Sequence, residues 1–316
     1  MSPGKVVAWD LPTLLHDVPG VKRYHYPLRR YTSFHIGGVA DAWVRIEELA
    51  ALRQVQDVAR CHQIPLFILG GGSNLLIRDG GVRGIVVALR GVFRTYRITP
   101  HAVSQAGAEA FVYAGVGYPL SRLAMQLARQ GWRGMEFAYG IPGTLGGAMV
   151  MNAGTHLGDL RQVMVAARML LANGQDCELP VAAVGLQYRT SSYPAGAILL
   201  GGTMRVRAGE PQAITAVMHE SYKRRQQTQP LCLPNAGSIF KNPPGEAAAQ
   251  LIDALDLKGT RIGDAMLSLV HANFIVNMGQ ATAKDVEALI DLVQSRVQDA
   301  YGIDLELEVR VLGEEA

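Results

Sequence analysis

Cysteine is scarce in this 316-residue sequence: Cys61, Cys177 and Cys232 are far apart and odd in number. They form no zinc-ligand spacing and no Cys-x-x-Cys pair. A disulfide framework and a metal site are therefore not expected, and a reducing compartment is. Long apolar runs are also missing, since no stretch reaches the roughly 18 residues that a membrane span needs. The opening segment has Asp10, His16 and Asp17 among its apolar residues, so it lacks the core of a signal peptide. Charge is sparse at 18%, with a net charge of only +3. Arg29-Arg30 and Lys223-Arg224-Arg225 are too short to make a nucleic-acid stripe. Together these absences predict a cytoplasmic protein without a nucleic-acid partner, a membrane segment or an obligate protein partner.

What is present is a large apolar fraction, 49% of residues, enough to bury a core without covalent staples. The length suits about two domains. Glycine is in surplus: 35 residues, against about 7% in an average chain. The surplus is clustered, which points to turns or to backbone held close to a ligand.

Periodicity predicts strands over Ala40–Arg45, Ile64–Leu69, Gly84–Leu89 and Ala197–Arg207. A helix over Leu49–Cys61 follows from Leu49, Leu52, Val55 and Ala59 at helical spacing. Another, Leu120–Gln130, should stop at Gly131. Val163–Leu171 and Cys177–Leu179 flank Asn173-Gly174, the signature of a type I′ hairpin. Gln212–Arg225 reads as a helix with Ile214, Val217, Met218 and Tyr222 on one side. A Pro-rich extended stretch runs from Pro230 to Pro244. Lys284–Tyr301 is an amphipathic helix ended by Gly302, and Ile303–Leu312 an alternating strand. The predicted divisions are a leader of unknown role over 1–25, a first domain over 26–207 in two lobes (about 26–90 and 91–207), and a second over 208–316.

Gly70-Gly71-Gly72-Ser73-Asn74 follows a predicted strand at once. Successive uncrowded N–H groups can cradle a phosphate, although a tight turn explains a glycine triplet equally well. No Gly-Lys-Ser/Thr follows, so this is no P-loop. A Rossmann fingerprint fails as well, because its third glycine would fall at Leu75. A second cluster runs Gly140-Ile141-Pro142-Gly143-Thr144-Leu145-Gly146-Gly147-Ala148, followed by Met151-Asn152-Ala153-Gly154. A third piece, Thr32-Ser33-Phe34-His35-Ile36-Gly37-Gly38, precedes the first strand. One dinucleotide would account for all three; three unrelated turns are the plain alternative.

The order of these pieces resembles the FAD domain of vanillyl-alcohol-oxidase-type flavoproteins, and more narrowly the UDP-N-acetylenolpyruvoylglucosamine reductase family. The resemblance is carried by Leu69–Leu75, Glu136–Ala148, Tyr188-Arg189-Thr190-Ser191, Asn235-Ala236-Gly237-Ser238-Ile239-Phe240-Lys241-Asn242-Pro243 and Glu306-Leu307-Glu308-Val309-Arg310. It runs from Thr32 to Arg310 and is specific through the combination and order of its parts. It implies an α+β fold with a two-lobed FAD-binding domain and a smaller α+β substrate-binding domain. The implied cofactor is non-covalent FAD, held by Thr32, Ser33, Ile36, Gly37, Gly70, Gly71, Gly72, Ser73, Asn74, Leu75, Gly140, Pro142, Gly143, Thr144, Gly146, Gly147, Asn152, Ala153 and Gly154. The implied partners are NADPH as electron donor and UDP-N-acetylglucosamine enolpyruvate as acceptor, in peptidoglycan precursor synthesis. The short chain lacks the tyrosine-bearing loop of the longer form of that family.

The resemblance makes Ser238 the proton donor, with Arg189 and Glu308 stabilising an enolate. Taken alone, a serine in a polar loop is a surface residue more often than a catalyst, and no Gly-x-Ser-x-Gly elbow surrounds it. Chemically the set is coherent. Adding a hydride to an enolpyruvyl double bond drives negative charge toward the attached carboxylate. That charge calls for preorganised donors, and a guanidinium meets a carboxylate in bidentate fashion. The neighbouring carbon then needs a proton from a positioned hydroxyl. Glu306, Glu308 and Arg310 share one face of the expected strand, so pattern alone leaves Glu306 beside Glu308. Tyr188, Lys241, Asn242, Arg224, Arg225, His271 and Asn273 are candidates for the UDP moiety. Basic residues at a helix C-terminus also favour the macrodipole. Another oxidase or dehydrogenase of the same flavin fold, acting on a small alcohol or acid, is the competing reading; a non-catalytic nucleotide binder is a third.

Overall fold

The computed structural model describes residues 9–104 and 107–316. Of the expected leader, 1–8 lie outside the described residues. The rest is part of the first domain: α1 (Leu11–Leu14) leads to β1 (Val21–Pro27), and Leu11, Leu15 and Val18 are buried in the first core.

β1 pairs antiparallel with β2 (Val39–Ile46). Next come α2 (Leu49–Cys61), β3 (Leu66–Leu69), β4 (Leu75–Ile77) and β5 (Val82–Leu89). A four-stranded sheet results, in the order β1-β2-β5-β3, with β2 and β3 parallel to β5. β5 is buried along nearly its whole length, as an unbroken apolar run between covered faces should be. α2 buries Leu52, Val55 and Ala59 against this sheet's core, as its spacing predicts.

The second lobe is built on β6 (Tyr96–Ser104), β7 (Gly107–Gly115), α3 (Leu120–Arg129), β8 (Trp132–Arg133), α4 (Leu145–Met151), the small hairpin β9 (Gly154–Thr155) and β10 (Gly158–Asp159), β11 (Met164–Leu170), β12 (Asp176–Pro180) and β13 (Ile198–Ala208). Its antiparallel sheet runs β12-β11-β13-β7-β6, with β8 also on β13. The β11–β12 turn is not type I′. Asn173 keeps a negative φ and only Gly174 is left-handed, at +83°. Gly174 N–H donates to the Leu171 carbonyl at 2.9 Å, and Leu171 N–H to Gln175 at 2.8 Å. The result is a three-residue loop with glycine at the left-handed position, the next commonest hairpin solution. Asn173 Oδ1 accepts from Gln175 N–H instead.

α5 (Pro211–Thr228) corrects two expectations. Its buried positions are Ile214, Met218 and Ser221, whereas Val217 is exposed. Ile214 and Met218 enter the first core, so α5 belongs with the first domain and not with the part beginning at 208. After α5, the first residue of the second core is Ala236. It is built on α6 (Ala248–Asp253), β14 (Arg261–Ile262), β15 (Ala265–Leu267), β16 (Ile275–Asn277) and α7 (Ala283–Tyr301). α7 opens with a Thr282/Asp285 capping box and stops at Gly302, φ +68°. Val286, Leu289, Ile290, Val293 and Val297 are all buried, each worth about 1.5–3 kcal/mol when fully removed from water.

The last strand is shorter than its alternation predicts. Only β17 (Arg310–Leu312) is a strand, and it pairs parallel with β4 in the first domain. Upstream, Leu307 makes an isolated bridge to Phe240. Phe34, Ile36 and Leu76 of the first domain pack into the second core. The two domains are thus stitched together beside the first glycine loop, which lies between β3 and β4.

Candidate active site

The glycine loops owe their sequences to one another. Gly70–Asn74 and Gly140–Thr144 pack face to face: a Cβ on Gly71 would lie 2.5 Å from Gly143 Cα, and one on Gly70 would lie 2.8 Å from Thr144 Oγ1. Gly143 itself has φ +103°, with Ser73 Oγ 2.6 Å from where its Cβ would stand. Ser73 Oγ also donates to the Pro142 carbonyl at 3.1 Å. So Gly71 is required by close backbone approach, a different reason from crowding at a phosphate. Gly147, on α4, has nothing within 4 Å of its missing Cβ.

Between these loops opens a cavity of 1030 Å³. It brings together Ser33, the whole run Gly70–Leu75, Gly140, Pro142, Gly143, Thr144, Gly146, Gly147, Ala153 and Gly154 with Arg189, Arg224, Arg225, Ser238 and Glu308. Segments far apart in sequence therefore converge on one space.

Other candidates stand elsewhere. Thr32 is buried, and its hydroxyl donates to the Ile36 carbonyl at 2.8 Å; Ile36 belongs to the second core. Gly37 fits closely over Ile77. Asn152 is 1% exposed. Tyr188 lines a neighbouring hollow of 290 Å³, its ring 5.1 Å from the Arg189 guanidinium. Lys241 pairs with Glu306 at 3.0 Å, and Asn242 Oδ1 accepts from Ala248 N–H at the start of α6. The His271 imidazole packs on Phe274 and accepts from Asn273 N–H; burial holds its pKa below the usual histidine value.

Asn273 turns out to be a clamp. Its Oδ1 accepts from Phe240 N–H at 2.9 Å, its Nδ2 donates to the Phe240 carbonyl at 2.8 Å, and its own carbonyl accepts from Ile239 N–H at 2.9 Å. The segment after Ser238 is thereby fixed. On its other side, Ile239 carbonyl accepts from Glu308 N–H at 2.8 Å, and Lys241 N–H donates to the Glu306 carbonyl. Ser238 and Glu308 come side by side through this pairing. Asn74 adds a third tie, its Nδ2 donating to the Glu308 carbonyl at 2.9 Å. Gly237, at φ +80°, turns the chain so that Ser238 faces the cavity. The Ser238 hydroxyl makes no hydrogen bond among the described residues.

Glu306 and Glu308 part company here. The Glu306 side chain is 75% exposed, while that of Glu308 is 18% exposed and lies 2.8 Å from Arg189 Nε. Burial pushes the Glu308 carboxyl above its ordinary pKa, opposed by the charges of Arg189 and Lys241. Arg189 sits in the left-handed region at φ +54°, costly for a non-glycine residue and a frequent mark of functional sites. Its Nη2 donates to the Gly154 carbonyl at 3.1 Å. Nε meets Glu308 Oε1 in a close, largely buried ion pair.

The cavity fits a large anionic dinucleotide. Arg225 binds Gln229 Oε1 through Nε and Nη2 at 3.2 and 3.1 Å, but its Nη1 is buried without a partner among the described residues. Burial lowers the pKa of Arg225. A phosphate oxygen would satisfy that donor. The uncrowded Gly147 and the main chain of Gly70–Asn74 provide the close backbone approach that such a ligand needs. Thr155, His156, Tyr222 and Phe274 also line the cavity and were missed; His35, which the sequence places in the Thr32–Gly38 segment without singling it out, lines it too. Tyr222 reads as part of a core stripe, Thr155 ends the two-residue strand β9, and His35, His156 and Phe274 lie in irregular segments without period.

A family profile described as an FAD binding domain matches residues 40–179. One described as the C-terminal domain of UDP-N-acetylenolpyruvoylglucosamine reductase matches 229–312. The protein named UDP-N-acetylenolpyruvoylglucosamine reductase 2 of Symbiobacterium thermophilum is 42% identical over 99% of this chain and 98% of its own length. The UDP-N-acetylenolpyruvoylglucosamine reductase of Clostridium novyi is 38% identical over 92% of this chain and 91% of its own. The crystal structure of the Thermus caldophilus enzyme superposes with a TM-score of 0.77 at 35% identity, covering 93% of this chain and 99% of that one. The fold and site thus define a two-domain FAD-dependent oxidoreductase of α+β class. The chain belongs to the UDP-N-acetylenolpyruvoylglucosamine reductase family.

Proposed function

We propose that the chain catalyses NADPH-dependent reduction of UDP-N-acetylglucosamine enolpyruvate to UDP-N-acetylmuramate, in the cytoplasm, as a step of peptidoglycan precursor synthesis. The observation that carries this reading is the meeting of Ser238, Arg189 and Glu308 in one cavity with the paired glycine loops. In this reading the first domain, through α5, holds FAD and residues 229–316 supply most of the substrate contacts. No helix among the described residues is long and apolar enough to cross a membrane.

FAD, when bound, supplies the two-electron relay from NADPH to the enolpyruvyl carbon. What the chain contributes is binding, charge and a proton. The Gly70–Asn74 and Gly140–Gly147 segments, with Arg225, would hold the cofactor's pyrophosphate end. Arg189 meets the substrate carboxylate, where negative charge accumulates as the double bond is reduced. Its Nε already lies 2.8 Å from Glu308 Oε1 in a largely buried pair, so the guanidinium is held, mostly stripped of water, where that charge appears. Glu308, its pKa raised by burial, shares a proton with the developing enol more readily than an exposed carboxylate would. Ser238 Oγ–H delivers a proton to the adjacent carbon, and its hydroxyl is reprotonated from water.

The test is an anaerobic titration followed by flavin absorbance. NADPH should bleach the bound FAD, and UDP-N-acetylglucosamine enolpyruvate should restore it stoichiometrically. Bleaching without recovery would transfer the protein to another oxidoreductase reaction on the same cofactor.

A further inference from the structure

Asn152 was expected to contact cofactor, yet it lies behind the cavity wall, 1% exposed, and every polar atom of its side chain is used within the protein. It ends α4 in the left-handed conformation, φ 41° and ψ 57°. Its Oδ1 accepts from Arg161 N–H at 2.9 Å, and its Nδ2 donates to the Gln187 carbonyl at 3.0 Å and approaches Asp159 Oδ2 at 3.3 Å. Its own carbonyl faces Arg189 Nη1 at 3.5 Å, two residues before the Gly154 carbonyl that holds Nη2. Gln187 to Thr190 is a tight turn closed by reciprocal backbone hydrogen bonds of 3.1 and 3.3 Å, with Arg189 at its strained corner.

We infer that Asn152 is a positioning residue for Arg189: its amide pins the turn that carries Arg189, and its carbonyl steers the guanidinium toward Glu308 and the cavity. A left-handed arginine persists only where its surroundings over-determine it. The Gln187 carbonyl has two donors for this, Thr190 N–H and Asn152 Nδ2, and only the second comes from outside the turn. The inference rests on the reading that Arg189 meets the substrate.

Asn152→Asp isolates the donor. An Asp tolerates the left-handed backbone and keeps the acceptor for Arg161 N–H, but it presents oxygen to Gln187 and to Asp159. Reduction of bound flavin by NADPH should stay within about two-fold of native, while reoxidation by the enolpyruvyl substrate should fall about 10- to 100-fold, the scale of a displaced catalytic group. The carboxylate of Asp159 beside it favours the protonated form of the introduced group, and that single O–H can turn to the Gln187 carbonyl, so reoxidation should recover in part from pH 8 toward pH 6. Combined with Arg189→Lys, the variant should be no slower than Arg189→Lys alone by more than about two-fold, because residues acting through one contact are not additive. Should Asn152→Asp unfold, Asn152→Gly keeps the backbone unstrained and should show the same selective loss without the pH recovery. Equal loss in both half-reactions, or multiplying effects in the double variant, would overturn the inference. If Arg189→Lys is slow and Asn152→Asp is not, this inference alone falls; if Arg189→Lys reoxidises normally, the reading of Arg189 falls and takes this one with it.

Discussion

Gly146 and Gly147 are adjacent on α4, yet a methyl group at each should act in opposite ways. A Cβ on Gly146 would lie 2.8 Å from Val116 Cβ, so Gly146→Ala forces α4 away from the strand end beneath it. Overpacking of this kind costs about 1–3 kcal/mol. A Cβ on Gly147 meets nothing within 4 Å and points into the cavity. Without ligand, Gly147→Ala gains helix propensity; the full gain is about 0.5–1 kcal/mol, and the first-turn position puts it at the low end. In a chain of this size about 1 kcal/mol moves Tm by roughly 2–4 °C. Stripped of flavin, Gly147→Ala should therefore melt at or slightly above the native temperature, and Gly146→Ala several degrees below. FAD binding should follow a different order. The Gly147 methyl occupies ligand space, and 1.4 kcal/mol of crowding weakens Kd about ten-fold. Circular-dichroism melts of the apoprotein and quenching of FAD fluorescence on titration measure the two quantities. Native FAD affinity in Gly147→Ala would place the cofactor elsewhere, and a lowered apo Tm would refute the packing argument.

Glu308→Gln should cut turnover by about 10²–10⁴-fold, the range of acid–base contributions, whereas Glu306→Gln, an exposed partner of Lys241, should stay within about two-fold because such pairs contribute little; steady-state assays of both decide the assignment. Ser238→Ala should leave bleaching by NADPH near normal and slow reoxidation by about 10²–10⁴-fold, read by stopped-flow absorbance; collapse of the first half-reaction with FAD still bound would remove Ser238 from its role. Because the folded-state pKa of Glu308 is raised, its contribution to stability is fully present below the unfolded value of about 4.3 and is lost as pH rises through the folded value. Glu308→Gln cannot ionise, so urea midpoints from pH 4 to 7 should fall for the native protein relative to this variant across that window and run parallel above it. A constant difference would mean that the carboxyl is not buried in solution.

Helices α2 and α7 were legible because their apolar stripes are local: Leu52, Val55 and Ala59, or Val286 to Val297, specify a face whatever they pack against. The motifs of both domains were legible for a related reason. Gly237 and the left-handed glycines are demanded by backbone geometry, which the residue type alone reveals. Partnership was not legible. Glu306 and Glu308 have the same period and charge, and only the pairing of 306–308 with 239–241, and of β17 with β4, buries one beside Arg189 and leaves the other in water. α5 read as part of the second domain because its sequence follows a composition change, but Ile214 and Met218 find the first core. Asn152 and Asn273 sit among residues of a binding motif and look like ligand contacts. Tertiary structure turned both inward, since a buried amide must satisfy its donors and acceptors, and the nearest unsatisfied groups belonged to the segments that carry Arg189 and Ser238. The sequence by itself determined which elements form and which chemistry is available; the long-range pairing of short segments, invisible to any local period, decided which of those groups share one desolvated space.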